Sequence, residues 1–501
     1  MTAADLLASP FATLPDLIRA HAAERGAKTA IADERRALTY AELDRLVDRV
    51  AAGLQRDGVP QGAAVAIVAY PSVEQAAVFL GTVRAGCLAT PIAPSATPDQ
   101  IAAMIRDSGA PLAFADAANA AAAPDAVCLE ELDTWLPPDD ARPAPVEIAP
   151  EDGFNIIYSS GTTGTPKGIV QSHAMRWQHL GRNSAAGFGD AVTMVATPLY
   201  SNTTLVTFLP TLGWGGAAVL MAKFDARRFL ELAEKHRATH AMLVPVQYQR
   251  IMAVPDFDRF DLSSFRLKTC TSAPFKPELK ADVLARWPGL LIEYYGMTEG
   301  GGTCVLNCNA HPDKLHTVGQ PLDGHDIRLI DDEGREVAPG EMGEVVGRSA
   351  AMMNGYHGRE GATREAEWYD GEGRRYIRHG DVGRFDEDGF LILLDRKKDM
   401  IITGGFNIYP SDLEAVLLRH PAVADATVVG VPSEAWGETP VGFYVSRDPG
   451  ANIDAVLAWF NGQVGKTQRL SALHQVDELP RSAIGKVLKR ELRDRLLGQT
   501  A

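Results

Sequence analysis

At 501 residues the chain is too long for one ordinary core and implies about two to four domains. Apolar residues make up 46% and charged residues 23%, the balance of a soluble globular protein, while a net charge of −15 argues against a broad nucleic-acid surface, which needs clustered Lys and Arg. No uninterrupted apolar run of ~18 residues appears, so no transmembrane segment is expected.

The N-terminus, Met1-Thr2-Ala3-Ala4-Asp5, lacks the basic flank and apolar stretch of a signal peptide, and a cytoplasmic protein is the expectation. In chain order, Thr39 and Glu42 form a capping box, and Leu43, Leu46, Val47, Val50 and Leu54 make one apolar stripe behind it. Residues 64–68 read as a buried strand and 73–85 as a helix ended by Gly86. Strand, helix, strand in this order predicts an α/β sheet covered on both faces. Residues 116–152 are rich in Ala, Pro and acidic side chains and read as surface connections. Strands are expected at 154–158, 193–196, 217–221 and 240–244.

Five consecutive charged residues, Asp395 to Asp399, follow an apolar strand at 390–394 and precede Met400-Ile401-Ile402. This charged break predicts an interdomain joint. Beyond it Ser411 and Glu414 suggest another capping box for a helix ending near His420. Strands at 424–431 and 441–445 and helices at 454–463 and 486–497 complete a small α+β domain. Cys87, Cys128, Cys270, Cys304 and Cys308 are few and odd in number, and no second ligand pair completes a zinc pattern around Cys304 and Cys308.

Directly after the 154–158 strand comes Ser159-Ser160-Gly161-Thr162-Thr163-Gly164-Thr165-Pro166-Lys167-Gly168, with three Gly, five hydroxyls and one Lys. Glycines let backbone N–H groups surround phosphate oxygens, hydroxyls add donors and Lys adds positive charge. The alternative of a flexible Gly/Thr surface turn fits a lone Gly-Thr-Thr-Gly, not ten such residues after a buried strand. A P-loop hydrolase is excluded, because Pro166 stands where G-x-x-x-x-G-K-[ST] needs its second Gly and Gly168 where it needs a hydroxyl.

The segment from Tyr158 to Gly168 resembles the signature of the adenylate-forming superfamily: acyl-CoA synthetases, peptide-synthetase adenylation domains and firefly luciferases. Five further blocks follow in that family's order, so the resemblance covers nearly the whole chain. Tyr295-Gly296-Met297-Thr298-Glu299 is similar to the second core motif: Tyr295 to stack on adenine, Thr298 to bind the α-phosphate, Glu299 to hold Mg²⁺. Ser272-Ala273-Pro274 stands where the family lines the adenine. Gly343 to Gly347 and Gly355-Tyr356 resemble structural motifs near the same site. Asp381 resembles the ribose clamp, Arg396 a second ribose contact, and Lys398 the hinge residue. Gly404-Gly405-Phe406-Asn407 resembles the segment lining the pantetheine tunnel. Pro480 to Lys486 resembles the C-terminal motif, with Lys486 as the catalytic lysine.

The resemblance implies a large N-terminal AMP-binding domain of αβ-layered subdomains over 1–395, a hinge at 396–398 and a small mobile α+β domain over 399–501. It implies an ATP-dependent acid–CoA ligase using Mg²⁺, with CoA and a carboxylic acid as substrates, and it is compatible with a homodimer. Adenylate formation and thioesterification are expected to alternate by rotation about Lys398, exchanging Lys486 for the 404–407 face. Tyr200, Ser201, Val244, Tyr248, Gly300, Gly301, Gly302 and Thr303 are candidate acyl-pocket residues. Ser201 stands where many relatives carry a ring, leaving Tyr200 as the nearest aromatic, and the three glycines suggest room for an extended acid. No Arg or Lys is placed to pair with a second carboxylate, so an apolar aromatic, alicyclic or fatty monocarboxylate is expected. Rival readings are a stand-alone adenylation enzyme loading a carrier protein, a luciferase-like oxygenase and a non-catalytic nucleotide-binding regulator. The last predicts loss of Lys486 or Glu299, and both are present.

Overall fold

The computed structural model describes residues 1–158, 166–182, 186–403, 406–448, 450–482 and 485–498. Met1–Asp326 with Gly347–Ile377 form one compact unit, and Ile327–Val346 with Arg378–Ala501 form the other. This division does not fall at the charged run 395–399. The strand Leu391–Arg396 is tied by its ladder to Asp381–Phe385, and both belong to the second unit. Among the described residues no helix is long and apolar enough to cross a membrane.

The first unit is built on two sheets. One runs in the order Gly355–Tyr356, Gly168–Ser172, Gly153–Tyr158, Leu88–Ile92, Ala64–Val68, Leu112–Ala115, Val127–Cys128. Ala64–Val68 and Leu88–Ile92 are buried at every position and pair in parallel, as strands covered on both faces must be. Gly153–Tyr158 and Gly168–Ser172 form an antiparallel hairpin in which Tyr158 faces Gly168. The other sheet has nine strands; Leu290–Tyr295, Leu267–Cys270, His240–Leu243, Val192–Val195 and Ala217–Leu220 run parallel in that order. Helices Tyr40–Arg56, Val73–Arg84 and Asn202–Gly213 join the sheets through one core, in which Phe79, Leu205 and Phe208 are buried with Ile31, Val65 and Leu220. The Thr39–Glu42 capping box is present, and Thr39 accepts from the Glu42 N–H.

Leu290–Tyr295 is held from below by a buried ion pair. The Lys280 ammonium pairs with Glu293 and donates to the Leu315 carbonyl at 2.7 Å and the Thr317 carbonyl at 3.1 Å. Burial pushes the Glu293 carboxyl up to about 7 against the pull of Lys280.

In the second unit the antiparallel strands Phe406–Ile408, Ile401–Thr403, Gly437–Ser446 and Val423–Ser433 form a sheet, with Ala472–Val476 parallel to Gly437–Ser446. Helices Pro410–Leu417 and Ile453–Gln463 cover it over Leu413, Leu417, Val428, Tyr444 and Phe460. Two expectations are corrected. Ser411 and Glu414 make no capping box, because Pro410, which needs no N–H partner, already opens the helix. The Ser411 hydroxyl instead donates to the Leu394 carbonyl, and Glu414 accepts from Thr427 and Val428. The last helix spans Lys489–Leu496, so Lys486 sits on a turn before it.

Candidate functional site

Of the phosphate-loop residues, Ser159, Ser160, Gly161, Thr162, Thr163, Gly164 and Thr165 lie outside the described residues. The loop's far shoulder is described. Lys167 places its Nζ 5.0 Å over the Tyr356 ring, a cation–π contact. The Tyr356 hydroxyl donates to Glu299 Oε1 at 2.8 Å, and the Glu299 carbonyl accepts from the Met353 N–H at 2.8 Å. Burial, then the Glu299 carboxylate, raises the Tyr356 pKa, so the phenol stays a donor. The first-unit residues Lys167, Tyr356 and Glu299 therefore form one connected set.

A second network fixes Thr298. Arg176, fully buried in helix His173–Arg182, donates through Nε and Nη2 to Asn155 Oδ1 at 2.9 and 2.8 Å and through Nη1 to Asn202 Oδ1 at 2.8 Å. It also donates to Gln171 Oε1, and Gln171 Nε2 donates to the Thr298 carbonyl at 2.7 Å. Among the described residues no carboxylate pairs with this guanidinium, and burial alone pushes it down to about 9, which leaves it cationic at neutral pH. Sequence reasoning missed Arg176, Asn155, Gln171 and Asn202. On a helical pattern an Arg reads as a solvated face residue, and nothing local marks it as buried.

Tyr295 ends its strand opposite Cys304 and is nearly buried, with Gly296 and Met297 following in the turn before Thr298. Ser272 takes φ +83, a left-handed conformation costly for a residue with a Cβ, and its hydroxyl bonds Thr203 Oγ1 at 2.6 Å. Ala273 and Pro274 continue from it on the half-buried and exposed side.

The acyl-pocket candidates have the following surroundings. Tyr248 is wholly buried, stacked on Phe275 at 5.1 Å, with its hydroxyl donated to the Thr269 carbonyl at 3.0 Å. Its ring and its polar atom are both spent on the core, and Val244 is equally buried at the helix start beside it. Gly300 (φ +78) and Gly301 (φ +86) have a backbone reason for their size: a Cβ on Gly300 would stand 2.0 Å from the Ala351 carbonyl oxygen, and one on Gly301 2.8 Å from that of Gly347. Gly302 is buried, and Thr303 donates its N–H to His325 Nδ1 at 2.9 Å. Tyr200 is half-buried near Ser95, its pKa raised by burial, and Ser201 caps the Asn202–Gly213 helix without a side-chain bond.

In the second unit Asp381 and Arg396 are cross-strand neighbours, paired at 2.9 Å. Lys398 lies in the turn Lys397–Asp399, its pKa lowered chiefly by burial. Lys486 is clamped by a tight turn: the Ser482 N–H donates to the Lys486 carbonyl at 2.8 Å and the Lys486 N–H to Ser482 Oγ at 3.2 Å, with Gly485 at φ +77. Burial, with Arg396 and Lys398 as like charges, pushes the Lys486 amine down to about 8 against the pull of Asp381 and Asp399. The four groups proposed from sequence thus share one electrostatic neighbourhood. Gly404 and Gly405 lie outside the described residues, and Phe406 is 62% exposed on the 401–408 hairpin.

All five cysteines are free thiols. Among the described residues no group of three or more His, Cys, Asp or Glu side chains could cage a metal. Glu299 is a single carboxylate, a donor set that fits Mg²⁺ carried by nucleotide phosphates rather than by a dedicated protein cage.

Residues 18–357 match the model of the AMP-binding enzyme family, and residues 412–486 match that of the AMP-binding enzyme C-terminal domain. A feruloyl-CoA synthase of Amycolatopsis sp is 35% identical over 93% of this chain and 96% of its own. The fatty acid–[acyl-carrier-protein] ligase ScoC of Streptomyces coeruleorubidus is 31% identical over 98% and 97%. Among solved structures, the o-succinylbenzoate CoA synthetase MenE of Bacillus subtilis, in complex with its acyl-adenylate intermediate, superposes with a TM-score of 0.83 at 25% identity, covering 96% of this chain and 98% of that one. The chain belongs to the AMP-binding enzyme family.

The glycine reading has a direct test. Gly300→Ala is expected to lower the stability of the first unit by about 1–3 kcal/mol, read from its urea midpoint at unchanged slope. An unchanged midpoint with an altered affinity for the acid would instead favour a role in making room for substrate.

Proposed function

We propose that the protein is an ATP-dependent acid–CoA ligase. It activates a carboxylic acid as acyl-AMP with release of pyrophosphate, then transfers the acyl group to the CoA thiol with release of AMP. The observation that carries this reading is the connected set Lys167–Tyr356–Glu299 beside the Thr298 carbonyl, at the mouth of a glycine- and hydroxyl-rich loop.

In the first half-reaction a carboxylate oxygen attacks the α-phosphorus, and the bond to the bridging oxygen breaks. Catalysis of such a transfer is mostly positioning and stabilisation of phosphoryl charge. The 159–167 loop grips the departing pyrophosphate, and Thr298 meets the α-phosphate. Tyr295 and the 272–274 segment take adenine; Asp381 and Arg396 take the ribose. Glu299 is the protein ligand for the Mg²⁺ that accompanies ATP, which offsets phosphate charge when bound. The Lys486 ammonium contacts the bridging oxygen and the substrate carboxylate. A turn about Lys398 then replaces Lys486 by the 404–406 segment, past which the thiol reaches the activated carbonyl.

The acid is proposed to be an apolar monocarboxylate, aromatic or fatty. Support comes from the uncharged candidate residues Tyr200, Ser201, Gly302 and Thr303 and from the feruloyl-CoA synthase likeness. The second reading, transfer to a carrier protein, is favoured by the likeness to the carrier-protein ligase ScoC. An acid panel with Mg·ATP, analysed by mass spectrometry with and without CoA, is expected to give acyl-CoA from an aromatic or fatty acid. Acyl-AMP that never becomes acyl-CoA would contradict the ligase and leave adenylation standing.

Lys486 supplies a pH signature. Its amine is pushed down to about 8, so it is cationic below that pH and loses its proton as pH rises through it. Adenylate formation needs the cation. Its kcat/KM for ATP, which reports the free enzyme, is therefore expected to fall by about tenfold per unit above pH 8. Lys486→Ala is expected to lose adenylate formation and keep thioester formation from supplied acyl-adenylate. A profile flat to high pH, or equal loss in both half-reactions, would reject this role.

A further inference from the structure

Both shoulders of the phosphate loop are tied to one short segment, residues 354–359. On the far side the Gly168 carbonyl accepts the His357 N–H at 2.7 Å and the Val170 carbonyl accepts the Asn354 N–H at 2.9 Å, with Lys167 over the Tyr356 ring. On the near side the link runs through a residue no motif contains. The Tyr158 hydroxyl donates to Asp107 Oδ2 at 2.8 Å and approaches the Met104 carbonyl at 3.1 Å. Asp107 Oδ1 accepts from Arg359 Nη2 at 2.8 Å. Burial and the Asp107 bond both raise the Tyr158 pKa, so this phenol stays a donor too.

The segment itself is stiff. The Tyr356 N–H donates to Thr363 Oγ1 at 2.9 Å, and Thr363 Oγ1 donates to the Arg359 carbonyl at 3.1 Å. Tyr158 and Gly168 face each other across the hairpin, so the loop leaves and returns at one place. The ladder sets the separation of the loop's two ends, and the stretch Tyr356 to Arg359 with Asp107 orients the side chains Lys167 and Tyr158 that flank them.

We propose that Asp107 is a positioning residue for the first half-reaction: with Arg359 it fixes Tyr158, the residue from which the phosphate loop starts. It touches neither substrate. Asp107 sits on helix Pro98–Ser108, an element that no motif of the sequence involves. The inference rests on the loop gripping pyrophosphate, as proposed above. Because pyrophosphate has gone before the thiol arrives, the brace matters in the first half-reaction and is idle in the second.

The test uses the full chain as Asp107→Asn, Arg359→Gln, Arg359→Lys, the double Asp107→Asn/Arg359→Gln, and Thr163→Ala in the loop. Two rates are read: ATP–pyrophosphate exchange with a turned-over acid, and CoA acylation from supplied acyl-adenylate. Asp107→Asn and Arg359→Gln are each expected to lower kcat/KM for ATP in exchange by about tenfold, the worth of one charge-assisted bond. CoA acylation stays at the wild-type rate, Arg359→Lys recovers most of the exchange, and the double variant is no worse than either single. Equal loss in both half-reactions, or additive losses in the double variant, overturns the brace and leaves only a structural role. If Thr163→Ala lowers exchange while Asp107→Asn does not, the brace alone fails. If Thr163→Ala leaves exchange unchanged, the loop reading fails and the brace with it.

Discussion

The first unit depends on a buried positive charge with no negative partner among the described residues. A lone guanidinium taken from water costs several kcal/mol, and Arg176 offsets this with hydrogen bonds to the amide oxygens of Asn155, Gln171 and Asn202. Those residues come from both strands of the phosphate-loop hairpin and from the start of the Asn202–Gly213 helix. Satisfying Arg176 therefore fixes the hairpin against the helix, and the second amide hydrogen of Gln171 carries that order to the Thr298 carbonyl. Removing any one member would leave another buried polar group without its bond, the costly case for such networks.

The chemistry is divided between the two units. The first holds the groups proposed for polyphosphate and adenine: Lys167, Thr298, Glu299, Tyr295 and the strained Ser272. The second holds Asp381, Arg396, Lys398 and Lys486 within one electrostatic neighbourhood. That crowding of cations has a consequence for Lys486. Burial first, and then the like charges of Arg396 and Lys398, lower the Lys486 pKa, and a lysine close to its titration point responds strongly to an arriving phosphate. The Lys486 backbone is held by hydrogen bonds to Ser482 on a turn rather than within a helix.

Much of this was legible in the residues themselves. The capping box at Thr39 and the buried strand at 64–68 follow from local rules, because cap hydroxyls and apolar runs act over a few residues. The family blocks named Tyr295–Glu299, Asp381, Arg396 and Lys486 in order. Burial of charge was not legible. Arg176 and Asp107 each resemble a solvated residue on a helix face, and only the packing of distant strands reveals their partners. Glycines at 300 and 301 were ambiguous for another reason: a small side chain serves close backbone approach and ligand space equally, and the left-handed φ with the nearby Ala351 carbonyl supplies the former. Tyr248 carries a core role that the residues did not show, its ring stacked on Phe275 and its hydroxyl bonded to the Thr269 carbonyl. Ser411 and Glu414 had cap spacing, but Pro410 had already started the helix.

The central claim is that a substrate carboxylate attacks the α-phosphorus of ATP to give an acyl-adenylate. Its most direct test is isotopic. An acid labelled with ¹⁸O in both carboxylate oxygens is turned over with ATP and CoA, and the AMP released is analysed by mass spectrometry. The account predicts one ¹⁸O in each AMP and none in pyrophosphate, because the carboxylate oxygen that attacks phosphorus stays on it when the thiol takes the acyl group. Unlabelled AMP, or label in inorganic phosphate with ADP as the other product, would contradict it.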